Sequence, residues 1–300
     1  MQINMIRSDK VYQEMLELPL EKREGCFRAK ILAPFATKYQ TQHIPLKAKY
    51  PGGFDALFLL GFMNLLPGTL SEKDRPAINA LSSDQLWQDC QDTIKRSIGL
   101  FEQAGYDLEV EDYHFTILLG NPEKPMLQLN KGYSGDGGIP GYLMLSLLPN
   151  DYTLPRVQAA LAHECNHNVR FQFIKWNQQT TLADWVVSEG LAESFAAELY
   201  GKDLIGPWVT STSPEQLEEI KPIISSQLQL TGMAEMAPYL YGDEIAKIQG
   251  QIPVGMPYAA GYAYGYHLIQ AYLKRTGKSI IEATVTPTEE ILEATKDFWK

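Results

Sequence analysis

The chain has five histidines, and two of them stand four residues apart in Leu161-Ala-His-Glu-Cys-Asn-His-Asn168. At that spacing a helix places His163 and His167 on one face, with their Cβ atoms about 5–6 Å apart. Two imidazole nitrogens so placed can hold one Zn²⁺ at about 2.0–2.1 Å each. Glu164 follows the first histidine. A carboxylate there can take a proton from a water whose pKa a bound zinc lowers towards about 7. The H-E-x-x-H pattern therefore pairs a metal with a general base. Cys165 occupies an unspecified position of the pattern and, on an ideal helix, faces away from the metal, so it reads as a packing residue.

Catalytic zinc takes three protein ligands and keeps one position for water. A carboxylate can complete two histidines, and Ser188-Glu-Gly-Leu-Ala-Glu193 offers two. Glu189 follows a connection long enough for its helix to fold back antiparallel. Glu193 lies one turn further on the same face, where it could accept a hydrogen bond from the distal nitrogen of a ligand histidine. Asn166 and Arg170 read as local hydrogen-bonding residues. His114 alternates with apolar neighbours and reads as a satisfied strand histidine.

These side chains need elements to hold them. Thr153 caps a helix with Pro155 in its first turn, running to about Phe173. Thr181 with Asp184 forms a capping box that opens the helix of Glu189, and Gly201 fits its end. Leu217 to Leu230 and Gly261 to Thr276 are further helices, the latter stopped by Gly277. Upstream, His114 to Leu119 reads as a strand ended by Gly120-Asn121-Pro122, and Met126 to Leu129 as a second. Gly132 to Gly141 reads as a turn. Tyr142 to Leu148 is a third apolar run, either an edge strand or a buried central one. Residues 1 to about 105 read as helical, with Ser82-Ser83-Asp84-Gln85 able to cap one long helix. Helices, a small sheet, then helices again predict an α+β fold.

His163-Glu-Cys-Asn-His167 followed by Glu189-Gly-Leu-Ala-Glu193 resembles the gluzincins, zinc peptidases with two histidines and a glutamate. With Gly261-Tyr-Ala-Tyr-Gly-Tyr-His267 added, the chain resembles the YjaZ-like family of predicted zinc-dependent proteases (domain of unknown function 2268). The resemblance covers roughly residues 110 to 295. It implies a zincin-like fold, with a small, mostly antiparallel sheet packed on an active-site helix and a glutamate helix. It implies a metallopeptidase domain over 106–300, preceded by a mainly helical region of unknown role over 1–105. Carried over, His163, His167 and Glu189 become Zn²⁺ ligands, Glu164 the general base, and Glu193 the carboxylate behind the ligands. Gluzincins also place a Tyr or His to stabilise the oxyanion. Tyr262, Tyr264, Tyr266 and His267 are the local candidates, and Tyr262 is favoured. The same segment also reads as an aromatic core stripe with close-packing glycines. In zincins an edge strand pairs with an extended peptide, and Tyr142 to Leu148 is one candidate for it. Ser188 stands where M1-type aminopeptidases have Asn, so their recognition of a substrate amine does not transfer.

The formal charge of −10, from 36 acidic and 26 basic residues, argues against a nucleic-acid partner. Cys26, Cys90 and Cys165 are scattered and odd in number, which predicts thiols in a cytoplasmic protein. The polar N-terminus lacks the apolar core of a signal peptide, and no apolar run reaches the roughly 18 residues of a membrane span. The expected partner is a peptide or protein substrate, with no membrane. Zinc-dependent peptide hydrolysis is the expected function. A metal-binding chaperone-like or regulatory protein is the first alternative, and a zinc hydrolase of non-peptide amides or esters the second.

Overall fold

A computed structural model describes residues 1–299. The chain forms two compact units, residues 1–96 with 109–164, and residues 97–108 with 165–300. The fold is α+β, with one small sheet among many helices.

The first unit carries the sheet. Its strands are β1 (Gln2–Met5), β2 (Asp112–Leu119), β3 (Tyr133–Asp136) and β4 (Tyr142–Leu147), in the order β1-β2-β4-β3. The expected antiparallel character is corrected. β1 with β2 and β2 with β4 pair parallel, and only β3 with β4 is antiparallel. A parallel neighbour needs a long crossover, which the helical stretch between β1 and β2 supplies. Phe115 to Leu119 are all buried, as expected of a strand covered on both faces. β4 is likewise central, between β2 and β3, so the edge strand is not Tyr142 to Leu148.

Three further expectations change here. Met126 to Leu129 belongs to a short helix, Pro125–Leu129, because Pro125 at its first turn has a φ already set for helix. The Gly-rich turn contains β3, a strand that glycine's weak strand preference conceals. The N-terminal region is helical as read, at Ser8–Glu17, Leu20–Phe27 and Ala36–Thr41, but it also supplies β1. The long helix Asp84–Gln103 buries Trp87, Ile94, Ile98 and Phe101 along one stripe.

The second unit is helical. The histidine helix, Val157–Phe173, enters it from the first unit after a 3₁₀ turn at Leu154–Arg156. The glutamate helix, Leu182–Tyr200, opens on the Thr181–Asp184 capping box and is buried from Leu182 to Ala197 except at Asp184. The tyrosine helix, Ala260–Thr276, ends at Gly277 in the left-handed conformation. The last two cross with their backbones in contact. A Cβ on Gly265 would fall on the Val186 carbonyl, and one on Gly190 on the Gly265 carbonyl. Phe101 packs against Phe195 with its ring tilted, the centroids 5.6 Å apart. Among the described residues, no helix is long and apolar enough to cross a membrane.

Candidate metal centre

The histidine helix presents His163 and His167 one turn apart, as their spacing requires. The glutamate helix brings Glu189 to them. One donor atom from each of the three lies within 4.8 Å of the others, and all three residues are buried. His167 Nε2 is 3.2 Å from Glu189 Oε2. Ligands about 2.0–2.1 Å from one tetrahedral ion are separated by roughly 3.4 Å, so this donor set fits zinc.

Two of the three side chains, Glu189 and His167, are visibly braced. The indole N–H of Trp185, one turn before Glu189, donates to its second oxygen at 3.2 Å. The ring of His167 stacks on Phe171, 5.7 Å away and nearly parallel. Further along the same helix, Arg170 is fully buried and joins three segments. Its Nε donates to Ser188 Oγ, the residue before Glu189, at 3.1 Å. Its Nη1 donates to the carbonyls of Thr284 and Thr286, and its Nη2 to Thr288 Oγ1. Burial lowers the Arg170 pKa to about 10. Asn166 donates to Thr284 Oγ1 at 2.7 Å. What reads from sequence as local bonding thus sets how the histidine helix meets the glutamate helix.

Glu193 is buried, and its carboxylate accepts from the Gly206 N–H at 2.5 Å and the Trp208 indole at 2.7 Å. Glu189 and Glu193 therefore each have a tryptophan donor. An aromatic chain links the two donors, running Trp185–Tyr241–Tyr262–Trp208 with centroids 5.6, 6.1 and 6.2 Å apart. Tyr262 is half-buried within it. Tyr264 faces elsewhere, meeting Ser225 Oγ at 3.0 Å, and burial pushes its pKa up to about 12. Burial raises the Tyr266 pKa, and the Glu193 charge adds to the effect. Burial lowers the His267 pKa, assisted by Lys221.

Glu164 is buried in the first unit against β3. A Cβ on Gly135 would fall on its carboxyl group, and one on Gly137 on its backbone. Cys165 is buried, as its packing role requires. His114 lies in β2, stacked on Tyr142 at 5.3 Å. Trp185, Trp208 and Tyr241 escaped the sequence reading. The i to i+4 spacing of Trp185 and Glu189 was a usable signal. Nothing local announces Trp208.

A family profile described as "Predicted Zn-dependent protease (DUF2268)" matches residues 86–293. The chain belongs to this YjaZ-like family. It is 34% identical over 293 residues to "Uncharacterized protein YjfC" of Bacillus subtilis (strain 168), covering 97% of both chains. It is also 27% identical over 155 residues to "Uncharacterized protein YjaZ" of the same organism, covering 50% of this chain and 55% of YjaZ. No solved structure matches. The family's description names zinc, and the buried His163–His167–Glu189 group is where this chain could hold it.

Proposed function

We propose that this chain is a zinc-dependent peptidase of gluzincin type with a zincin-like catalytic domain. The observation that carries the reading is the convergence of two imidazoles and one carboxylate in a buried site, with Glu164 beside the first histidine in the chain. His163, His167 and Glu189 would hold Zn²⁺, which when bound polarises a peptide carbonyl and acidifies water. Glu164 takes the proton of the attacking water and passes it to the leaving amine. Tyr262 donates a hydrogen bond from its phenol to the developing oxyanion. Glu193, fixed by Gly206 and Trp208, supports the ligands from behind. β3 is one of the two edge strands of the sheet and the one that lies against Glu164, so it takes the peptide-pairing role considered for Tyr142 to Leu148. Main-chain pairing there gives affinity with little sequence preference. Thiols at Cys26, Cys90 and Cys165 suit work in the cytoplasm on peptide substrates.

The test is zinc content and peptide cleavage measured on the same preparations. Wild-type protein should contain about one zinc per chain and cleave members of a broad peptide library. Glu164→Gln should keep the zinc and lose about 10²–10⁴-fold in turnover. A variant that loses zinc as readily as His163→Ala would remove Glu164 from the role of base. A zinc-loaded wild type inert towards every peptide would favour the metal-binding regulatory reading.

A further inference from the structure

Lys38 lies in the N-terminal helix Ala36–Thr41, outside the span of the family profile, and its side chain is 0% exposed. A buried ammonium is costly unless it is paired. Its Nζ is 2.7 Å from Asp136 Oδ2, although the Asp136 side chain is 46% exposed. Gln42 Oε1 accepts a second hydrogen bond at 3.0 Å. The next residue, Tyr39, places its hydroxyl 3.7 Å from the sulfur of Met144. Met144 on β4 is the cross-strand partner of Asp136 on β3. One short helix therefore grips both members of a strand pair with consecutive side chains.

Asp136 stands between Gly135 and Gly137, whose backbones press on Glu164. Successive residues of a strand face opposite sides. Asp136 is thus the handle at the end of β3, and Gly135 within the strand, with Gly137 just past its end, is the bearing surface on Glu164. We infer that Lys38 is a positioning residue: through Asp136 it clamps the edge strand β3 onto Glu164 and so sets where that carboxylate lies. This rests on the reading of Glu164 as general base. It also gives the N-terminal region a role, since Lys38, which acts on the strand, comes from before the segment that the family profile matches. The close approach over Glu164 depends on a contact from a distant part of the chain, because β3 has four residues and one strand neighbour.

The experiment compares Lys38→Met, Asp136→Ala and the double variant in the full chain, with zinc content, steady-state peptide cleavage and amide hydrogen exchange read on each. Each single variant should lower kcat about tenfold or more, keep one zinc per chain, and speed exchange at the amides of 134–137. The double variant should be no worse than the worse single variant, because both changes break one contact. A purely structural role would instead lower Tm with kcat retained. Wild-type kcat in both single variants, or additive losses in the double, would overturn the inference. Asp136 is on the surface, so Asp136→Ala decides the matter if Lys38→Met does not fold. If wild-type protein cleaves no peptide, the hydrolytic reading fails, while exchange at 134–137 still tests the clamp: unchanged exchange in both variants overturns it.

Discussion

Glycine lets the backbone approach a neighbour closely both above Glu164 and between the glutamate and tyrosine helices, and the neighbours differ. At Gly135 an added methyl would meet the far end of a glutamate side chain, which can turn away. At Gly265 it would meet the Val186 carbonyl, which belongs to a buried helix and has nowhere to go. The first contact positions one side chain, the proposed base, and the second positions a whole element. Similar steric crowding should therefore be read out as chemistry in one place and as folding in the other.

The largest effect is expected at the helix crossing. Gly265→Ala should cost about 3 kcal/mol or more of stability, at the upper end of what overpacking does, because the obstruction is backbone. It should lose zinc as well, since the Val186 it displaces is less than one turn from Glu189. Denaturant unfolding with parallel metal analysis checks this. A folded, zinc-loaded Gly265→Ala protein would remove the distinction between the two contacts.

Glu189→Ala should come next, leaving two histidines and weakening zinc binding by more than the about 10–100-fold typical of a supporting carboxylate. Glu193→Ala should fall within that lower range, with some stability lost as Trp208 and Gly206 lose their acceptor. Competition with a chelator ranks the two. The reverse order would move the third ligand to Glu193.

Gly135→Ala completes the contrast. It should fold, keep its zinc, and lose about 10²-fold in turnover as the Glu164 carboxylate is pushed aside, since a displacement near 1 Å can cost that much. Gly137→Ala, whose methyl would meet the Glu164 backbone instead, should behave as Gly265→Ala does, with a smaller loss of stability. Equal kinetic behaviour in the two variants would show that β3 bears on the histidine helix as a whole rather than on one carboxylate.

Much of the candidate centre was legible because its signals are short-range. The four-residue interval of His163 and His167, the Thr181–Asp184 box and the Gly277 stop each depend on a single turn of helix, and each stands as read. The glycines near Tyr262 do pack closely, Gly261 on Leu240 and Gly265 on the glutamate helix, as the core-stripe alternative anticipated. The sheet was read less well. β3 is only four residues, with one glycine and a glycine on either side, so it carries no alternating pattern. β1 is four residues of a polar N-terminus that becomes a strand only because β2 offers it an edge.

The sequence by itself determined the chemistry available to this protein: which donor atoms share a helical face, which acid follows them, and where their helices start and stop. Those properties are local, and helix geometry converts spacing into position without help from the rest of the chain. Only the tertiary structure decided which distant groups complete the arrangement. Trp208 meets Glu193, Arg170 meets the carbonyls of Thr284 and Thr286, and Lys38 meets Asp136. Each of these is a buried polar group that had to find a partner once its surroundings excluded water. The partner is chosen by what the folded chain brings within hydrogen-bonding reach, and no spacing along the sequence encodes that.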